Sequence, residues 1–254
     1  MPAYPLKTLL AWLNQLLDPN RIEDYGPNGL QVEAATEITR VVTGVTANMA
    51  FIEAAAALGS EFAIVHHGLY WHGAPATAIG PLGKRLRALF ANGLSLAAYH
   101  LPLDAHLEVG NAAGLARALG LIDLRPAFPY RGHPTGVRAR FESPLAVASL
   151  APLLAAISPR ALHFEGGPDL ITTVGIVTGG APRVASDAAR LGLDLFITGE
   201  ASEYTQATAR EERIHVAACG HHRTEVFGPR ALAAVMQAEF PGLDVAFLDI
   251  DNPA

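Results

Sequence analysis

A strand–helix–strand pattern occurs twice in this chain, and this repetition limits the fold more than any other feature of the sequence. Each copy contains a β-rich run, a helix that ends at a Leu-Gly pair, and a second, apolar strand. The first copy occupies residues 39–65 and the second occupies residues 173–198. Because strands that alternate with helices pair into parallel sheets, we predict an α/β fold of two linked, topologically similar α/β lobes with mixed, partly parallel sheets.

The same alternation continues after each copy and near both ends of the chain. The remaining helices and strands are predicted at residues 6–17, 82–91, 94–99, 203–212, 214–219, 229–240 and 243–250. Prolines and a Gly-Gly pair interrupt the alternation between residues 125 and 170. We therefore place the first lobe at residues 1–125 and the second lobe at residues 126–254, with the lobes interlinked and the C-terminal helix and strand able to pack on the first lobe.

The composition is typical of a globular protein and excludes several functional classes. With 254 residues, half of them apolar, the chain can bury a large core. Its formal charge of -6, with no cluster of Lys or Arg, predicts no binding of nucleic acid or of an anionic membrane. The run at residues 6–17 is amphipathic rather than a signal sequence, and no run reaches the roughly 18 apolar residues of a membrane span. A single cysteine, Cys219, cannot form an internal disulfide, so we expect a cytoplasmic protein.

Histidines and carboxylates follow three of the predicted strands at the point where each strand ends. They are His66 and His67 in the segment HHGLYWHG, His100 and Asp104 after residues 94–99, and His221 and Glu225 after residues 214–219. Aligning the Leu-Gly pairs of the two copies places His66 and His67 opposite Gly199 and Glu200. Because ligands gather at the carboxyl ends of parallel strands, we expect the three sets to converge on one site between the lobes.

The donor atoms of these side chains predict a transition-metal site. Imidazole nitrogens and carboxylate oxygens, with no thiolate among them, suit zinc, manganese, iron, cobalt or nickel better than calcium or magnesium. The set is larger than one catalytic zinc ion needs, which favours two divalent metal ions per chain. His66 and His67 would then bind different ions, because successive side chains of an extended strand diverge. The residues do not distinguish among the five metals.

A structural role competes with the metal prediction, because a lone histidine at a strand end is more often a hydrogen-bonded polar group than a ligand. We assign this role to His72, His106, His133, His163 and His215, and we leave His222 open. Cys219 is predicted to pack in the core. The segment DYGPNGLQV, residues 24–32, is explained by a tight turn, and a role as an active-site loop stays open. The sequence lacks the P-loop, dinucleotide-binding and serine-hydrolase motifs.

Six motifs together resemble those of a known family. They are YGPNGLQVE at residues 25–33, VTGVT at 42–46, HHG at 66–68, HLPLDAH at 100–106, ITGE at 197–200 and GHHRTE at 220–225. In combination they are highly specific for the NIF-three-like family, also called GTP cyclohydrolase I type 2 homologues or dinuclear metal centre proteins. The resemblance covers nearly the whole chain, whose length of 254 residues resembles the short form without an inserted domain.

The resemblance implies an assembly and a set of site residues. It implies two linked α/β lobes, a toroidal homohexamer built as a trimer of dimers, and a two-metal centre. Carried over residue by residue, the family's metal ligands fall on His66, His67, Asp104, His221 and Glu225. His100 lies beside them and is assigned as the catalytic residue, with the roles of proton carrier, further ligand and partner of a ligand all open.

We therefore expect a metal-dependent hydrolase of the GTP cyclohydrolase I type 2 homologue family that acts on a nucleotide or another small molecule. A GTP cyclohydrolase-like activity is one form of this expectation. The alternative is a non-enzymatic, metal-dependent assembly or binding protein in which the metals brace the lobes. Turnover by the metal-loaded protein, measured together with its oligomeric state, distinguishes the two.

Overall fold

The computed structural model describes residues 2–254. In the first part of the chain the elements are β1 (Tyr4–Pro5), α1 (Leu6–Leu17), β2 (Gly29–Val32), β3 (Glu37–Ile38), β4 (Arg40–Thr46), α2 (Met49–Ala57), β5 (Phe62–His67), α3 (Gly80–Ala91), β6 (Ser95–Ala98) and α4 (Leu101–Asp104). They are followed by α5 (Asn111–Ala118), β7 (Ile122–Tyr130), β8 (His133–Ala146), α6 (Leu150–Ile157), β9 (Leu162–Phe164), β10 (Leu170–Ile176), α7 (Ala185–Arg190), β11 (Leu195–Thr198), α8 (Thr205–Glu212), β12 (His215–Ala218), α9 (His221–Thr224), α10 (Phe227–Glu239) and β13 (Asp244–Phe247).

The chain folds into two compact units. The first contains the residues up to Leu103 together with Gly228–Ile250, and the second contains Asp104–Phe227 and Asp251–Ala254. Among residues 2–254, no helix is both long enough and apolar enough to cross a membrane. Each unit is built on one large sheet.

The sheet of the first unit has the strand order β13-β4-β5-β6-β2. Strands β13, β4, β5 and β6 are parallel neighbours, and β2 pairs with β6 in the antiparallel direction. The core of this unit includes Val42, Val65 and Leu96 from three successive strands, together with Phe51 from α2 and Leu89 from α3. Parallel strands covered by helices bury both faces, which explains why the β5 sequence is apolar up to His66.

The sheet of the second unit has the strand order β7-β8-β10-β11-β12-β9. Strands β10, β11 and β12 are parallel, whereas β8 pairs with β10 and β9 pairs with β12 in the antiparallel direction. In both units, therefore, a run of parallel strands stands next to an antiparallel edge strand, with four parallel strands beside β2 in the first unit and three beside β9 in the second. This arrangement confirms the predicted α/β fold with mixed sheets, in which the trio β4, β5 and β6 corresponds to β10, β11 and β12.

The division between the units lies earlier in the chain than the boundary placed at residues 125 and 126. Helix α5 belongs to the second unit because Ala112, Leu115 and Ala116 are buried in the same core as β8 and β10. The C-terminal α10 and β13 belong to the first unit because β13 pairs with β4. This pairing joins strands that lie about 200 residues apart in the chain.

The proline-rich stretch between the two copies is not a linker. Strands β7 and β8 form a long antiparallel hairpin within it. Pro126 and Pro129 fit in β7 because this strand lies at the edge of its sheet, where the missing N–H groups need no partner strand.

Candidate metal centre

Three histidines lie together where β5 and β6 of the first unit end. His66 and His67 are the last residues of β5, and His100 follows β6. Each ring offers one ligand nitrogen, and the three nitrogens lie within 4.8 Å of one another. This spacing is short enough for one metal ion to contact more than one of the rings. The structure thus brings these three residues together at one end of the sheet of the first unit.

The rings of His66 and His67 lie close together, although their Nδ1 atoms contact residues next to different neighbouring strands, Tyr99 after β6 and Thr46 in β4. The centroids of the two histidine rings are 4.6 Å apart, and both rings also lie near that of His100, at 4.9 Å and 5.5 Å. The pairing of β5 with β6 ends at Val65, whereas the pairing of β5 with β4 continues to His67.

The hydrogen bonds of the rings determine which nitrogen each can offer. His66 Nδ1 lies 3.1 Å from the backbone oxygen of Tyr99, and a carbonyl only accepts, so Nδ1 of His66 carries the proton. His67 Nδ1 lies 3.1 Å from the hydroxyl of Thr46. These contacts leave Nε2 as the ligand atom of both histidines, and they orient the rings as the outer partners of metal-binding histidines do.

Asp24 holds the third histidine. Its Oδ1 lies 2.7 Å from His100 Nδ1, and the carboxylate also accepts hydrogen bonds from Asn28 Nδ2 at 2.9 Å and from the N–H of Leu101 at 2.9 Å. Burial raises the pKa of Asp24. The hydrogen bond and charge of His100, together with the other donors, lower it by more than burial raises it, so the pKa lies below its ordinary value. Asp24 is therefore a carboxylate at neutral pH.

The walls around these histidines come from residues 24–31 and 68–72. The Cβ of any side chain at Gly26 would lie 2.3 Å from the backbone oxygen of Tyr70, and one at Gly68 would lie 2.5 Å from the Gln31 amide. The Gln31 amide also accepts a hydrogen bond from Leu69 N–H at 2.8 Å. The two segments are thus in close contact, and they bring the Trp71 ring to 5.1 Å from His100.

The second unit contains the other predicted ligands. Asp104 is buried and accepts hydrogen bonds from Asn111 Nδ2 at 2.8 Å and from the Thr178 hydroxyl at 3.3 Å. His221 begins α9, and its Nε2 lies 3.2 Å from Oε1 of the buried Glu225, one helical turn later. The spacing of four residues, which the sequence made visible, is therefore a real contact on one helical turn.

Glu200 contacts the other nitrogen of the same ring. Its Oε1 lies 2.6 Å from His221 Nδ1. Burial lowers the pKa of His221, but the hydrogen bonds and charges of Glu225 and Glu200 outweigh burial and raise the pKa to about 9. Without a metal, His221 is an imidazolium at neutral pH, so a metal ion that binds there must displace a proton.

Gly179 leaves room for the pair of His221 and Glu225. A Cβ at this position would lie 2.3 Å from Glu225 Oε1 and 3.1 Å from His221 Nε2. Its φ of +67° is also one that side chains other than glycine rarely adopt. The sequence alone does not indicate this role of Gly179, because a close approach between residues that are distant in the chain leaves no local pattern.

We expect Gly179→Ala to lower the free energy of unfolding and the affinity for metal. Gly192→Ala is the matched control, because Gly192 has a similar φ of +70° but no heavy atom within 4 Å of the position that its Cβ would take. Backbone strain alone should cost Gly192→Ala about 1–2 kcal/mol. Gly179→Ala should cost about 1–3 kcal/mol more, because the new methyl group also collides with the two ligands. Urea unfolding at one protein concentration measures both, and equal costs would contradict the crowding argument.

The histidines assigned to structural roles lie outside the cluster of His66, His67 and His100. His72 is exposed, and His106 Nδ1 accepts hydrogen bonds from two backbone N–H groups of the turn that follows it. His215 is buried, with Nε2 2.9 Å from the backbone oxygen of Pro168 and Nδ1 3.2 Å from His163 Nε2. Cys219 is buried as predicted, and burial raises the pKa of its thiol to about 12, which makes it unreactive.

The pair of His163 and His215 predicts a pH dependence of stability. Burial and the neighbouring His215 lower the pKa of His163 below its unfolded value of 6.5, although Glu165 acts in the opposite direction. As the pH falls below 6.5, His163 therefore becomes protonated in the unfolded chain but stays neutral in the folded protein. The free energy of unfolding falls over this range until the pH passes the lower pKa of the folded state. Urea unfolding of chelator-treated protein between pH 8 and pH 5 should show a smaller loss for His163→Gln than for the wild type. An identical loss would contradict the assignment.

The predicted set omits two carboxylates that the structure places on site histidines, Asp24 and Glu200. Asp24 was assigned to a turn, and no spacing rule connects it with His100, which is 76 residues away. Glu200 was detectable, because the alignment of the two copies places it opposite His67.

Known proteins resemble this chain along nearly its whole length. The family model described as Duf34/NIF3 (NGG1p interacting factor 3) matches residues 5–253. A Vibrio cholerae protein named GTP cyclohydrolase 1 type 2 homolog is 47% identical over 96% of this chain and 98% of its own length, and an Escherichia coli K12 protein of the same name is 41% identical over 95% and 96%. The solved structure of protein ybgI, described as of unknown function, matches with a TM-score of 0.92 at 40% identity over 99% of this chain and 100% of the other. A Thermus thermophilus protein matches with a TM-score of 0.89 at 35% identity over the same shares.

Proposed function

Because this chain belongs to the Duf34/NIF3 family, we propose that it is a metal-dependent hydrolase that acts on a nucleotide or another small molecule. The observation that carries the proposal is the closeness of His66 and His67, whose ligand nitrogens lie within 4.8 Å of each other with the His100 ring beside them. Nucleotides are the first candidates because the relatives are named as homologues of a GTP cyclohydrolase.

The donor set fits a transition metal. His66 is buried with its Nδ1 proton held by a carbonyl, so the neutral ring presents Nε2 in the form that metals bind. His221 and Glu225 supply an imidazole and a carboxylate in contact, and Glu200 orients the same imidazole. We propose that His66, His67, Asp104, His221 and Glu225 hold two divalent ions. Zinc, manganese, iron, cobalt and nickel all accept these donors.

The residues around the ligands suit hydrolysis. When bound, the ions would supply Lewis-acid polarisation of the bond to be broken and activation of water. Asp104 and Glu225 bring negative charge that offsets the positive charge of the ions. His100 carries a proton at a fixed nitrogen beside the ligands. The Trp71 ring packs edge-on against His100, with the two ring centroids 5.1 Å apart.

We further propose that the protein is a cytoplasmic homohexamer, a trimer of dimers, as the family resemblance implies. The described residues include exposed large apolar side chains in both units, such as Ile79 and Phe90 in the first and Leu162 and Leu170 in the second. Light scattering at several protein concentrations tests the assembly. A stable monomer would contradict it.

Metal analysis tests the first half of the proposal. We expect protein purified without added chelator to contain about two transition-metal equivalents per chain, and stripped protein to regain them. A protein that neither holds nor regains metal would contradict the hydrolase and also the alternative of a metal-dependent assembly.

A substrate panel tests the second half. Stripped protein reloaded with each of the five metals is incubated with nucleoside triphosphates, phosphodiesters and cyclic amides, and products are separated by chromatography. We expect turnover of at least one class that disappears with the metal. If metal-loaded protein turns over no substrate and the oligomer dissociates when the metal is removed, the hydrolase proposal is wrong and the non-enzymatic assembly function is favoured.

A further inference from the structure

We propose that Asp24 is the positioning residue for His100, holding its ring as the Nδ1–H tautomer so that Nε2 takes the proton from the attacking water. The inference rests on the proposed hydrolase function. It assigns a role to the DYGPNGLQV segment, which the ligand set leaves without one, and it chooses among the three roles that stay open for His100.

The tautomer follows from the contacts of Asp24. Its side chain is 2% exposed, and its oxygens face His100 Nδ1 at 2.7 Å and three other donors. Those donors are Asn28 Nδ2 and the backbone N–H groups of Tyr25 and Leu101, which have no acceptor capacity. A carboxylate surrounded by such donors accepts, so the shared proton belongs to the histidine. Nε2 is then the basic nitrogen of the neutral ring.

The segment also holds the backbone of His100. The N–H of His100 donates to Asn28 Oδ1 at 2.7 Å, while Asn28 Nδ2 donates to Asp24 at 2.9 Å. Asp24 and Asn28 therefore fix the ring and the main chain of His100 at once. The turn between them, Tyr25-Gly26-Pro27, is kept in place by the close approach of Gly26 to Tyr70 and by the hydrogen bond from His72 N–H to the Tyr25 oxygen at 2.6 Å.

The position of His100 suits proton transfer. Its ring lies 4.9 Å from that of His66 and 5.5 Å from that of His67, so a substrate bound at the ligands is within reach of Nε2. In the hydrolysis, the water oxygen bonds to the electrophilic atom while one water proton passes to Nε2. The same proton then passes to the leaving atom as its bond breaks, and His100 returns to the neutral form. The Asp24 carboxylate stabilises the imidazolium in between.

Nuclear magnetic resonance tests the tautomer without any substrate. Magic-angle-spinning spectra of zinc-loaded protein with isotope-labelled histidine, recorded at alkaline pH, report whether Nδ1 or Nε2 carries the proton. The His100 resonances are those lost in His100→Gln. We expect the Nδ1–H form, and an Nε2–H form would overturn the proposal.

Metal content separates the proton carrier from a metal ligand. If His100 carries protons, His100→Gln and Asp24→Asn should both retain the metal content of the wild type. A loss of about one equivalent from His100→Gln would overturn the role of proton carrier and make His100 a ligand.

A double-mutant cycle tests whether Asp24 acts through His100. On the best substrate of the panel we expect Asp24→Asn and His100→Gln each to lower turnover by about 10²–10⁴-fold, and the double variant to fall little below the worse single variant. Multiplied losses would show that Asp24 acts independently and would overturn the proposal. If no substrate is turned over, the proposed function fails, while the tautomer and the metal content still decide the role of Asp24.

Glu61→Gln is the matched control for the loss of a carboxylate. Glu61 also accepts backbone N–H groups of the first unit, those of Thr39 and Arg40 at 3.0 Å and 2.8 Å. It precedes β5, at the opposite end of the strand from His66 and His67. We expect this variant to keep the turnover and metal content of the wild type, and a loss equal to that of Asp24→Asn would overturn the specific role of Asp24.

Discussion

His66→Ala is expected to lower metal affinity by more than 100-fold, whereas His72→Ala should leave it unchanged. Loss of a residue that merely orients a metal ligand costs about 10–100-fold, so loss of a ligand itself should cost more. His66 is fully buried, and its ring is held by the Tyr99 carbonyl. His72 belongs to the same HHGLYWHG segment but is exposed. The two variants therefore compare a proposed ligand with a loop histidine six residues away.

The measurement is competition for zinc with a chromogenic chelator, followed by metal analysis of the dialysed protein. Because His66→Ala opens a cavity in the fold, His66→Gln serves as a second variant whose amide can still donate to the Tyr99 oxygen. Far-ultraviolet circular dichroism checks that both variants are folded. If folded His66→Gln binds zinc as tightly as the wild type, His66 is not a ligand.

The sequence predicts most of the secondary structure because the βα alternation is local. Helix α1 and strands β6 and β12 lie within one residue of their predicted bounds, since amphipathic spacing marks the helix and short apolar runs mark the strands. The placement of three histidines at adjacent strand ends also follows from pattern, because parallel neighbours end at one edge of a sheet. The pattern does not predict the hairpin of β7 and β8, because prolines such as Pro126 and Pro129 interrupt the alternation but are tolerated in an edge strand.

The partners of the site histidines depend on tertiary contacts that no short-range rule contains. Asp24 reaches His100 through a turn that sequence alone explains without any function. Gly179 leaves space for the side chains of His221 and Glu225, which lie more than 40 positions later in the chain. In each case the local sequence is compatible with several structures, and a contact with a distant backbone or side chain selects one.

The carboxylates on the two nitrogens of His221 should differ in their effect on catalysis. Glu225→Gln is expected to lower turnover by more than 100-fold and to remove metal, because the amide replaces a charged ligand with a neutral one in a buried place. Glu225 Oε1 lies 3.2 Å from His221 Nε2, the nitrogen that a metal would use. Glu200 contacts Nδ1 at 2.6 Å and is half exposed, so Glu200→Gln loses only the orientation of the ring and should cost about 10–100-fold.

Turnover, metal content and oligomeric mass are measured on the wild type, Glu225→Gln and Glu200→Gln at the same protein concentration. Full turnover by Glu225→Gln would show that hydrolysis does not depend on this proposed ligand, and the mechanism would be wrong. Loss of the oligomer together with the metal would favour the assembly function. An equal loss from both variants would mean that the charge around His221, rather than direct coordination by Glu225, determines the affinity. Retention of the oligomer, with a larger loss of turnover from Glu225→Gln than from Glu200→Gln, is the result that the hydrolase predicts.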